Sequence, residues 1–447
     1  MSVSRIKALA ACAGLSVLFL VVYSGCNWIT ARRGDVRTLY FSWEHAIPFV
    51  PLMILPYMSI DLFFVAAPFL FRTNRELQIF SRRIVAAILI AALCFLLFPL
   101  RFAFPRPHTE GWLGAVFDWF RSMDAPHNLL PSLHAAFCLL LADVYARHLR
   151  GAWFYAAMTW FVLIGLSPLF TYQHHVIDIV GGFVLAGFCF YFFCESSPGP
   201  VVCNRRVGWY YAVGSSIALI LAAILWPWGI FFLWPATALG LVAAGYCGAG
   251  PGIFRKRHGI LPWSTRFVFG PYLLGQYLSL QYYRRQCRMW DEVTPRVWIG
   301  RKLSKREENR ALRAGVTAVL DLTAEFSEGE PFRSVTYLNI PVLDLTAPTP
   351  EQLQGMAAFI TERSLSGIVY VHCKIGYSRS AAAVAAYLIM SGKATASEAM
   401  AALRKVRPSI VIRSEIVSAV TAFASSHRAS PAATETFLLA SDPRGPA

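Results

Sequence analysis

The stretch Ile368-Val369-Tyr370-Val371-His372-Cys373-Lys374-Ile375-Gly376-Tyr377-Ser378-Arg379-Ser380 decides the fold of the C-terminal part of this chain. Its first four residues form a continuous apolar run, which is typical of a buried strand. The Ala-rich run 381–388 that follows predicts a helix. The loop between them lies at a helix N-terminus, where free backbone N–H groups and the helix dipole favour an anion. The sequence therefore predicts a strand-loop-helix unit that binds phosphate.

The loop carries side chains suited to phosphoryl transfer. Cys373 is the candidate nucleophile, because the helix end, the amides and Arg379 all favour its thiolate. The planar guanidinium of Arg379 can hold two phosphate oxygens, and Gly376 allows a close turn around the anion. Ser380 can stabilise the departing thiolate when water cleaves a phosphocysteine, whereas His372 orients the loop. The other predicted phosphate-binding positions are Lys374, Ile375, Tyr377 and Ser378.

The pattern His-Cys-x-x-Gly-x-x-Arg-Ser at 372–380 resembles the dual-specificity branch of the cysteine-dependent phosphatases. That family needs a general acid on a separate loop, and the segment 337–344 is similar to it. The resemblance thus implies Asp344 as the proton donor to the leaving oxygen. Two plainer interpretations stay open at this point: Cys373 as a buried apolar thiol, and Asp344 as a solvated loop carboxylate.

The surrounding sequence predicts an α/β domain over residues 288–428. Strands are predicted at 297–300, 318–322 and 335–342, and capping boxes at Thr349 and Thr395 predict two helix starts. Residues 429–447, rich in Ala, Ser, Thr and Pro, are predicted to be a disordered tail.

Composition predicts a membrane protein for the remainder. The chain is 56% hydrophobic with a mean hydropathy of +0.49, and its apolar residues concentrate before about residue 250. We expect a multi-pass α-helical membrane bundle over residues 1–250 with about eight spans. The predicted spans cover residues 8–24, 47–71, 84–103, 129–147, 152–170, 176–194, 210–228 and 231–248. The first span also resembles a signal peptide, so cleavage within residues 1–26 stays an alternative.

The net charge of +16 does not indicate nucleic-acid binding, because most basic residues flank the predicted spans on one side. This distribution places the N-terminus and the C-terminal domain in the cytoplasm, where a catalytic thiol stays reduced. One loop counts against this orientation, because it would place Arg32, Arg33 and Arg37 on the outer side. The ten cysteines show no metal-ligand or disulfide spacing, and we expect no metal and no cofactor.

The membrane half carries a polar constellation of its own. Its members are Arg106, the segment Pro131-Ser132-Leu133-His134, and His174 with Asp178. Polar groups among apolar helices are candidates for function. A helix places His174 and Asp178 on one face, where the carboxylate can orient the imidazole as a nucleophile. His134 can protonate a departing alkoxide, and Ser132 with Arg106 can bind phosphate oxygens.

This constellation resembles the type-2 phosphatidic acid phosphatase superfamily, whose members have a six-helix membrane core. The match is partial: Pro99 stands in place of Lys, Leu133 in place of Gly, and Pro168 in place of Arg. Arg101 can substitute for one missing cation. Such departures are also found among lipid phosphotransferases, so the resemblance implies either hydrolysis or headgroup transfer. The alternative is a structural role, in which these histidines cap helices or bond to backbone groups.

Residues 251–287 mix basic and aromatic side chains, which suits a linker along the inner headgroup layer. The loop has a lysine, Lys374, directly after the cysteine, and in this it resembles the loops of lipid-directed members of the phosphatase family. The whole architecture resembles bacterial membrane proteins that fuse a lipid phosphatase-type core to a cytoplasmic dual-specificity phosphatase, which implies an inner-membrane location. We therefore expect phospholipid or lipid-phosphate substrates. A phosphoprotein-directed domain on a non-catalytic lipid-binding anchor is the alternative.

Overall fold

The computed structural model describes residues 3–123, 127–194, 203–226 and 228–428. The chain divides into two compact units, Met1–Glu195 and Ser196–Ala447. The predicted tail 429–447 lies outside the described residues. The last two apolar helices thus group with the C-terminal α/β domain, although their hydropathy predicts a membrane domain that ends at residue 250.

The described part of the first unit is helical. Its α-helices are α1 (Arg5–Thr30), α2 (Ile54–Ala66), α3 (Asn74–Leu97), α4 (Gly111–Met123), α5 (Leu133–His148), α6 (Gly151–Phe170) and α7 (Val176–Phe192). A capping box between Thr73 and Glu76 begins α3. The helix α4 was not predicted, because it lies in a segment without a long apolar run.

Six helical segments of the described chain are long and apolar enough to cross a membrane. They are Arg5–Thr30, Pro51–Phe69, Asn74–Leu97, Gly151–Phe170, Arg205–Ile224 and Trp228–Tyr246. The two other predicted spans form shorter helices, α5 with 16 residues and α7 with 17. α5 begins at Leu133, four residues later than predicted, and α7 ends at Phe192, two residues earlier than predicted.

The second unit begins with an apolar helical pair, α8 (Arg205–Ile224) and α9 (Leu233–Tyr246), which pack against each other. The predicted linker contains two further helices, α10 (Trp263–Val268) and α11 (Gly270–Arg284). Tyr211 of α8 stacks on Tyr246 of α9 with ring centroids 5.6 Å apart, and its ring also meets Tyr272 of α11 edge-on. Aromatic contacts thus join the apolar pair to the linker.

A five-stranded mixed sheet forms the centre of the C-terminal α/β domain. Its strands are β1 (Trp290–Thr294), β2 (Val297–Arg301), β3 (Val316–Thr323), β4 (Thr336–Val342) and β5 (Ile368–Cys373), in the spatial order β1-β2-β5-β3-β4. β1 is antiparallel to β2, and the other pairings are parallel. The helices are α12 (Lys305–Arg313), α13 (Glu330–Arg333), α14 (Pro350–Ser364), α15 (Ser378–Met390), α16 (Ala396–Val406) and α17 (Ser414–Arg428). The predicted strands and both predicted helix starts are confirmed.

Side-chain alternation along β5 determines what each face of the sheet buries. Val369, Val371 and Cys373 face the core formed with α14 to α17. Tyr370 faces the opposite core, formed with α12 and α13. Because β5 lies centrally and is covered on both faces, its carboxyl end is buried between layers. The loop after Cys373 therefore emerges at a fixed point, at the carboxyl edge of the parallel strands.

Candidate active site

The loop between β5 and α15 wraps tightly around a point just beyond the end of the strand. Gly376 has a φ of +75°, and a Cβ at this position would lie 2.5 Å from the carbonyl oxygen of Gly300. Only glycine fits such an approach without displacing β2. The helix α15 begins at Ser378, so its first free amides border the loop. The geometry is that of an anion-binding cradle at a helix N-terminus.

Cys373 lies at the floor of this cradle, with 2% of its surface exposed. Its Sγ is 3.4 Å from the Ser380 hydroxyl oxygen. Burial raises the pKa of the thiol, but the positive charge of Arg379 and the hydrogen bond from Ser380 outweigh it, so the pKa of Cys373 lies below its usual value. The arrangement favours the nucleophilic thiolate.

Arg379 is fixed by a carboxylate that the sequence analysis missed. Its two terminal nitrogens donate to Glu325, at 3.1 Å to Oε2 and 2.8 Å to Oε1, and Nη1 also donates to the carbonyl of Val342 at 2.9 Å. Arg379 and Glu325 are each 2% exposed. A forked ion pair of this kind sets the plane of the guanidinium. Glu325 follows β3, which is the parallel neighbour of β5, and no sequence motif marks this placement.

Asp344 lies two residues beyond the end of β4 and beside the cradle. Its Oδ1 is 3.4 Å from Nη2 of Arg379, and its side chain is 34% exposed. The structure thus brings together Cys373 at the end of β5, Arg379 in the first turn of α15 and Asp344 just after β4. A nucleophile, a cation and a carboxylate at one opening are what general-acid-assisted phosphoryl transfer requires.

His372 lies on the opposite face of the sheet from the thiol, within a buried ionic cluster. Its Nε2 is 3.2 Å from Glu328 Oε2, and its Nδ1 is 3.4 Å from the carbonyl oxygen of Cys373. Burial lowers the pKa of His372, but Glu328 and Asp321 outweigh it, so the pKa is raised overall. The imidazole therefore lies against the strand end and does not face the cradle as a base.

Two lysines complete this ionic cluster. Lys256 contacts the carboxylate of Asp321 and donates to the carbonyl of Thr323 at 2.9 Å, and Lys302 donates to Glu328 at 2.9 Å. Asp321, Glu328 and His372 place one potential metal-ligand atom each within 4.8 Å of one another. Because two ammonium groups already neutralise these carboxylates, the donor set fits an ionic cluster better than a metal ion.

Replacing Asp321 with asparagine is expected to lower the free energy of unfolding by about 3–5 kcal/mol, because the buried ammonium of Lys256 loses its counter-charge. Thermal unfolding in detergent micelles measures the change. Glu292→Gln, at an exposed position of β1 in the same unit, is the matched control. Equal stability of the two variants would show that the cluster contributes nothing.

The remaining loop side chains bond to surrounding protein. Lys374 donates to Gln276 Oε1 of α11 at 2.8 Å, the Tyr377 hydroxyl lies 3.0 Å from the Cys287 sulfur, and the Ser378 hydroxyl donates to the carbonyl of Val411. Tyr377 and Ser378 therefore contribute to the cradle through their backbone. The carbonyl of Ile375 accepts from Arg407, a buried arginine that no sequence motif marks.

Replacing Ser380 with alanine is expected to move the acidic limb of the kcat/KM pH profile to higher pH. The hydroxyl helps to hold the pKa of Cys373 below its usual value, so its loss raises that pKa and reduces the thiolate fraction at low pH. A phosphocysteine intermediate should also accumulate after rapid mixing, because the leaving thiolate is less stabilised. Ser391→Ala, at the other end of α15, is the control. An unshifted limb would contradict the assignment.

The three polar segments of the first unit lie together. The backbone amide of Ser132 donates to the carbonyl of Asp178 at 2.9 Å, and that of Ala103 donates to Nε2 of His175 at 3.2 Å. His174 Nδ1 is 3.6 Å from Asp178 Oδ2, with both residues buried. The segments thus meet at the starts of α5 and α7.

Several of these groups also have structural partners. His134 Nε2 bonds to the carbonyl of Ile164 at 3.1 Å, and its ring stacks on Tyr57 with centroids 4.3 Å apart. The Ser132 hydroxyl caps α5 by accepting from the amide of Ala135. Arg106 buries its Nε, whereas Arg101 is exposed.

A buried carboxylate in this unit was not predicted. Glu44 Oε2 accepts from the amide of Val176 and lies 2.9 Å from Nδ1 of His175. It approaches from a short 3₁₀ helix far away in sequence, so no local spacing marks it. His175 is therefore held between Glu44 and the loop at residue 103.

Comparison with known proteins concerns the second unit. The profile of the dual specificity phosphatase catalytic domain matches residues 297–425. The human phosphatidylglycerophosphatase and protein-tyrosine phosphatase 1 is 38% identical over 162 residues, which are 33% of this chain and 80% of the relative. The phosphatidylglycerophosphate phosphatase PTPMT2 of Arabidopsis thaliana is 28% identical over 183 residues, 39% of this chain and 79% of the relative. The crystal structure of PTPMT1 in complex with PI(5)P, 28% identical with a TM-score of 0.30, aligns with 32% of this chain and all of its own.

Proposed function

Because the chain belongs to the dual specificity phosphatase family and is a phosphoric monoester hydrolase, we propose that it removes the terminal phosphate from a phospholipid headgroup. The reaction would take place at the inner face of a bacterial inner membrane, with the second unit in the cytoplasm. Apolar helices and basic flanking residues support this location.

The active-site geometry supports a two-step reaction. The thiolate of Cys373 attacks phosphorus, the P–S bond forms, and the P–O bond to the headgroup breaks while Asp344 donates its proton to the leaving oxygen. Arg379 holds the equatorial phosphate oxygens as their charge develops. Water then attacks phosphorus and passes a proton to Asp344. The P–S bond breaks, Ser380 stabilises the released thiolate, and inorganic phosphate leaves.

The lipid assignment rests on the position of the loop that carries Asp344 (the acid loop). This loop lies at the end of α9, a helix in a segment long and apolar enough to cross a membrane. The Tyr246 hydroxyl, at the last residue of α9, donates to the backbone carbonyl of Asp344 at 2.8 Å. If α9 crosses the bilayer, its end and the cradle both lie at the headgroup layer. A phosphate on a lipid is then presented at the required depth without leaving the membrane.

Lys374 supports an anionic lipid substrate as well. Its ammonium is close to the cradle, where burial lowers its pKa while Asp344 and Glu325 counteract that effect. The ammonium donates to the neutral amide oxygen of Gln276. A second phosphate group of the substrate could replace this partner. Two relatives named for phosphatidylglycerophosphate hydrolysis agree with such a substrate.

A comparison of substrates tests the proposal. Purified full-length protein should release phosphate from vesicles containing phosphatidylglycerophosphate or a phosphoinositide faster than from phosphotyrosine peptides at equal phosphate concentration. Lys374→Met should weaken turnover on vesicles more than on peptides. Lys305→Met, an exposed lysine of α12, is the control. A preference for peptides would instead support a phosphoprotein phosphatase on a lipid-binding anchor.

We further propose that the first unit holds an external lipid phosphatase or phosphotransferase site. The pairing of His174 with Asp178, and the approach of the segments containing Ser132 and Arg106, support it. In a Cys373→Ser background, His174→Ala should abolish residual release or transfer of lipid phosphate. If no residual activity exists before that change, the first unit is an anchor without catalysis.

A further inference from the structure

The backbone directly after Asp344 adopts an unusual conformation. Leu345 has a φ of +60°, the left-handed region that residues with a side chain rarely occupy. Its amide donates to the Asp344 carboxylate at 3.1 Å, and the Thr346 hydroxyl donates to the carbonyl of Leu343 at 2.9 Å. A strained residue beside a reactive group persists only where the surrounding structure holds it.

Two side chains from the apolar helical pair bond to the turn. The Tyr246 hydroxyl donates to the carbonyl of Asp344, and the Asn204 side-chain amide donates to the carbonyl of Leu345, each at 2.8 Å. The two side chains therefore hold consecutive carbonyls of the acid loop. The backbone amide of Asn204 also donates to the carbonyl of Tyr246 at 2.9 Å, so the two anchors are bonded to each other.

Both anchors are themselves fixed in place. Tyr246 is 2% exposed, and its ring is stacked on that of Tyr211. Asn204 caps α8, since its Oδ1 accepts from the amide of Val207 at 3.3 Å. Side chains with such fixed positions can oppose the relaxation of Leu345.

We propose that Tyr246 and Asn204 are positioning residues for the general acid, and that they couple catalysis to the apolar helical pair. Their two hydrogen bonds hold the turn at Leu345, which keeps the Asp344 carboxyl beside Arg379 and within reach of the leaving oxygen. Without them the turn relaxes toward ordinary dihedral angles, and the carboxyl no longer meets that oxygen as the P–O bond breaks. This inference rests on the proposed role of Asp344 as proton donor.

The positioning role of Tyr246 and Asn204 can be tested by comparing the rates for substrates with different leaving groups. An alkyl phosphate needs a proton on its departing oxygen, whereas an aryl phosphate with an acidic phenol leaves without one. Tyr246→Phe and Asn204→Ser in the full-length protein should lower kcat for an alkyl phosphate about tenfold more than kcat for p-nitrophenyl phosphate. KM should change little, because the phosphate-binding loop is intact. Asn204→Ser keeps a side-chain oxygen able to cap α8.

Two further variants make the outcome decisive. Ser215→Ala removes a hydroxyl that bonds α8 to α9 at 2.7 Å, away from the acid loop, and should leave the ratio of the two rates unchanged. Asp344→Asn should show the largest preference for the aryl substrate. If Asp344→Asn is selective but Tyr246→Phe and Asn204→Ser lower both rates equally, the positioning role is wrong and the proposed acid stands. If Asp344→Asn is itself unselective, both assignments are wrong.

Discussion

Replacing Cys373 with serine is expected to lower phosphate release at the site in the second unit by at least about 10⁴-fold on every phosphomonoester. A serine hydroxyl in the same cradle stays protonated at neutral pH, because the positive charge and the amides that ionise a thiol cannot bring an alcohol into this range. The thiol is buried beside Arg379, with the Ser380 hydroxyl 3.4 Å from its sulfur. Phosphate release from p-nitrophenyl phosphate measures the loss.

Cys203→Ser is the matched control for this change, because Cys203 is exposed and lies outside the cradle. The Cys373→Ser protein should still bind inorganic phosphate, since Arg379 and the loop amides are retained. Rapid quenching of the unmodified enzyme should trap phosphorus on sulfur, and the variant should trap none. Turnover that survives the substitution would show that a different group attacks phosphorus.

Replacing Arg379 with lysine is expected to lower kcat by about 10²–10³-fold, although the positive charge is kept. The guanidinium uses both terminal nitrogens to bond Glu325 and directs its plane toward the cradle. A lysine can contact either the carboxylate or the phosphate, but it cannot hold two equatorial oxygens in one plane. Steady-state kinetics on p-nitrophenyl phosphate provides the measurement.

The control for the arginine is Arg310→Lys, an exposed position on α12 in the same domain. Glu325→Gln should reproduce part of the effect, because it keeps the shape of the partner but removes the charge that orients Arg379. A wild-type kcat in Arg379→Lys would mean that charge alone stabilises the transition state. Since Arg379 is buried, thermal unfolding of each variant should be recorded beside its kinetics.

The phosphate-binding loop could be predicted from the sequence because all of its determinants are local. An apolar run, a thiol, a glycine and an arginine within twelve residues predict the strand, the turn and the helix start together. The observed β5, the positive φ of Gly376 and the start of α15 at Ser378 agree with that prediction. The six apolar segments could be predicted for a similar reason, since length and hydropathy are properties of single segments.

The supporting residues could not be predicted, because tertiary topology alone brings them to the site. Glu325 reaches Arg379 because β3 is the parallel neighbour of β5, an order that no spacing reveals. Arg407 reaches Ile375 from beyond the end of α16, and Lys256 reaches Asp321 from the linker. The partners in each contact are at least 32 residues apart in sequence, and only the packing of the folded chain brings such distant residues together.

The division of the chain into two units shows the same distinction between what the sequence predicts and what tertiary packing decides. Composition identified the apolar helices, but it assigned α8 and α9 to a membrane domain because hydropathy does not record which unit a helix contacts. The folded chain joins them to the phosphatase domain through hydrogen bonds from Asn204 and Tyr246 to the acid loop. Sequence alone determined the chemistry, since thiol, arginine and carboxylic acid are fixed by residue type. Tertiary structure decided what holds that carboxylic acid in place, because those hydrogen bonds join residues about a hundred or more positions apart.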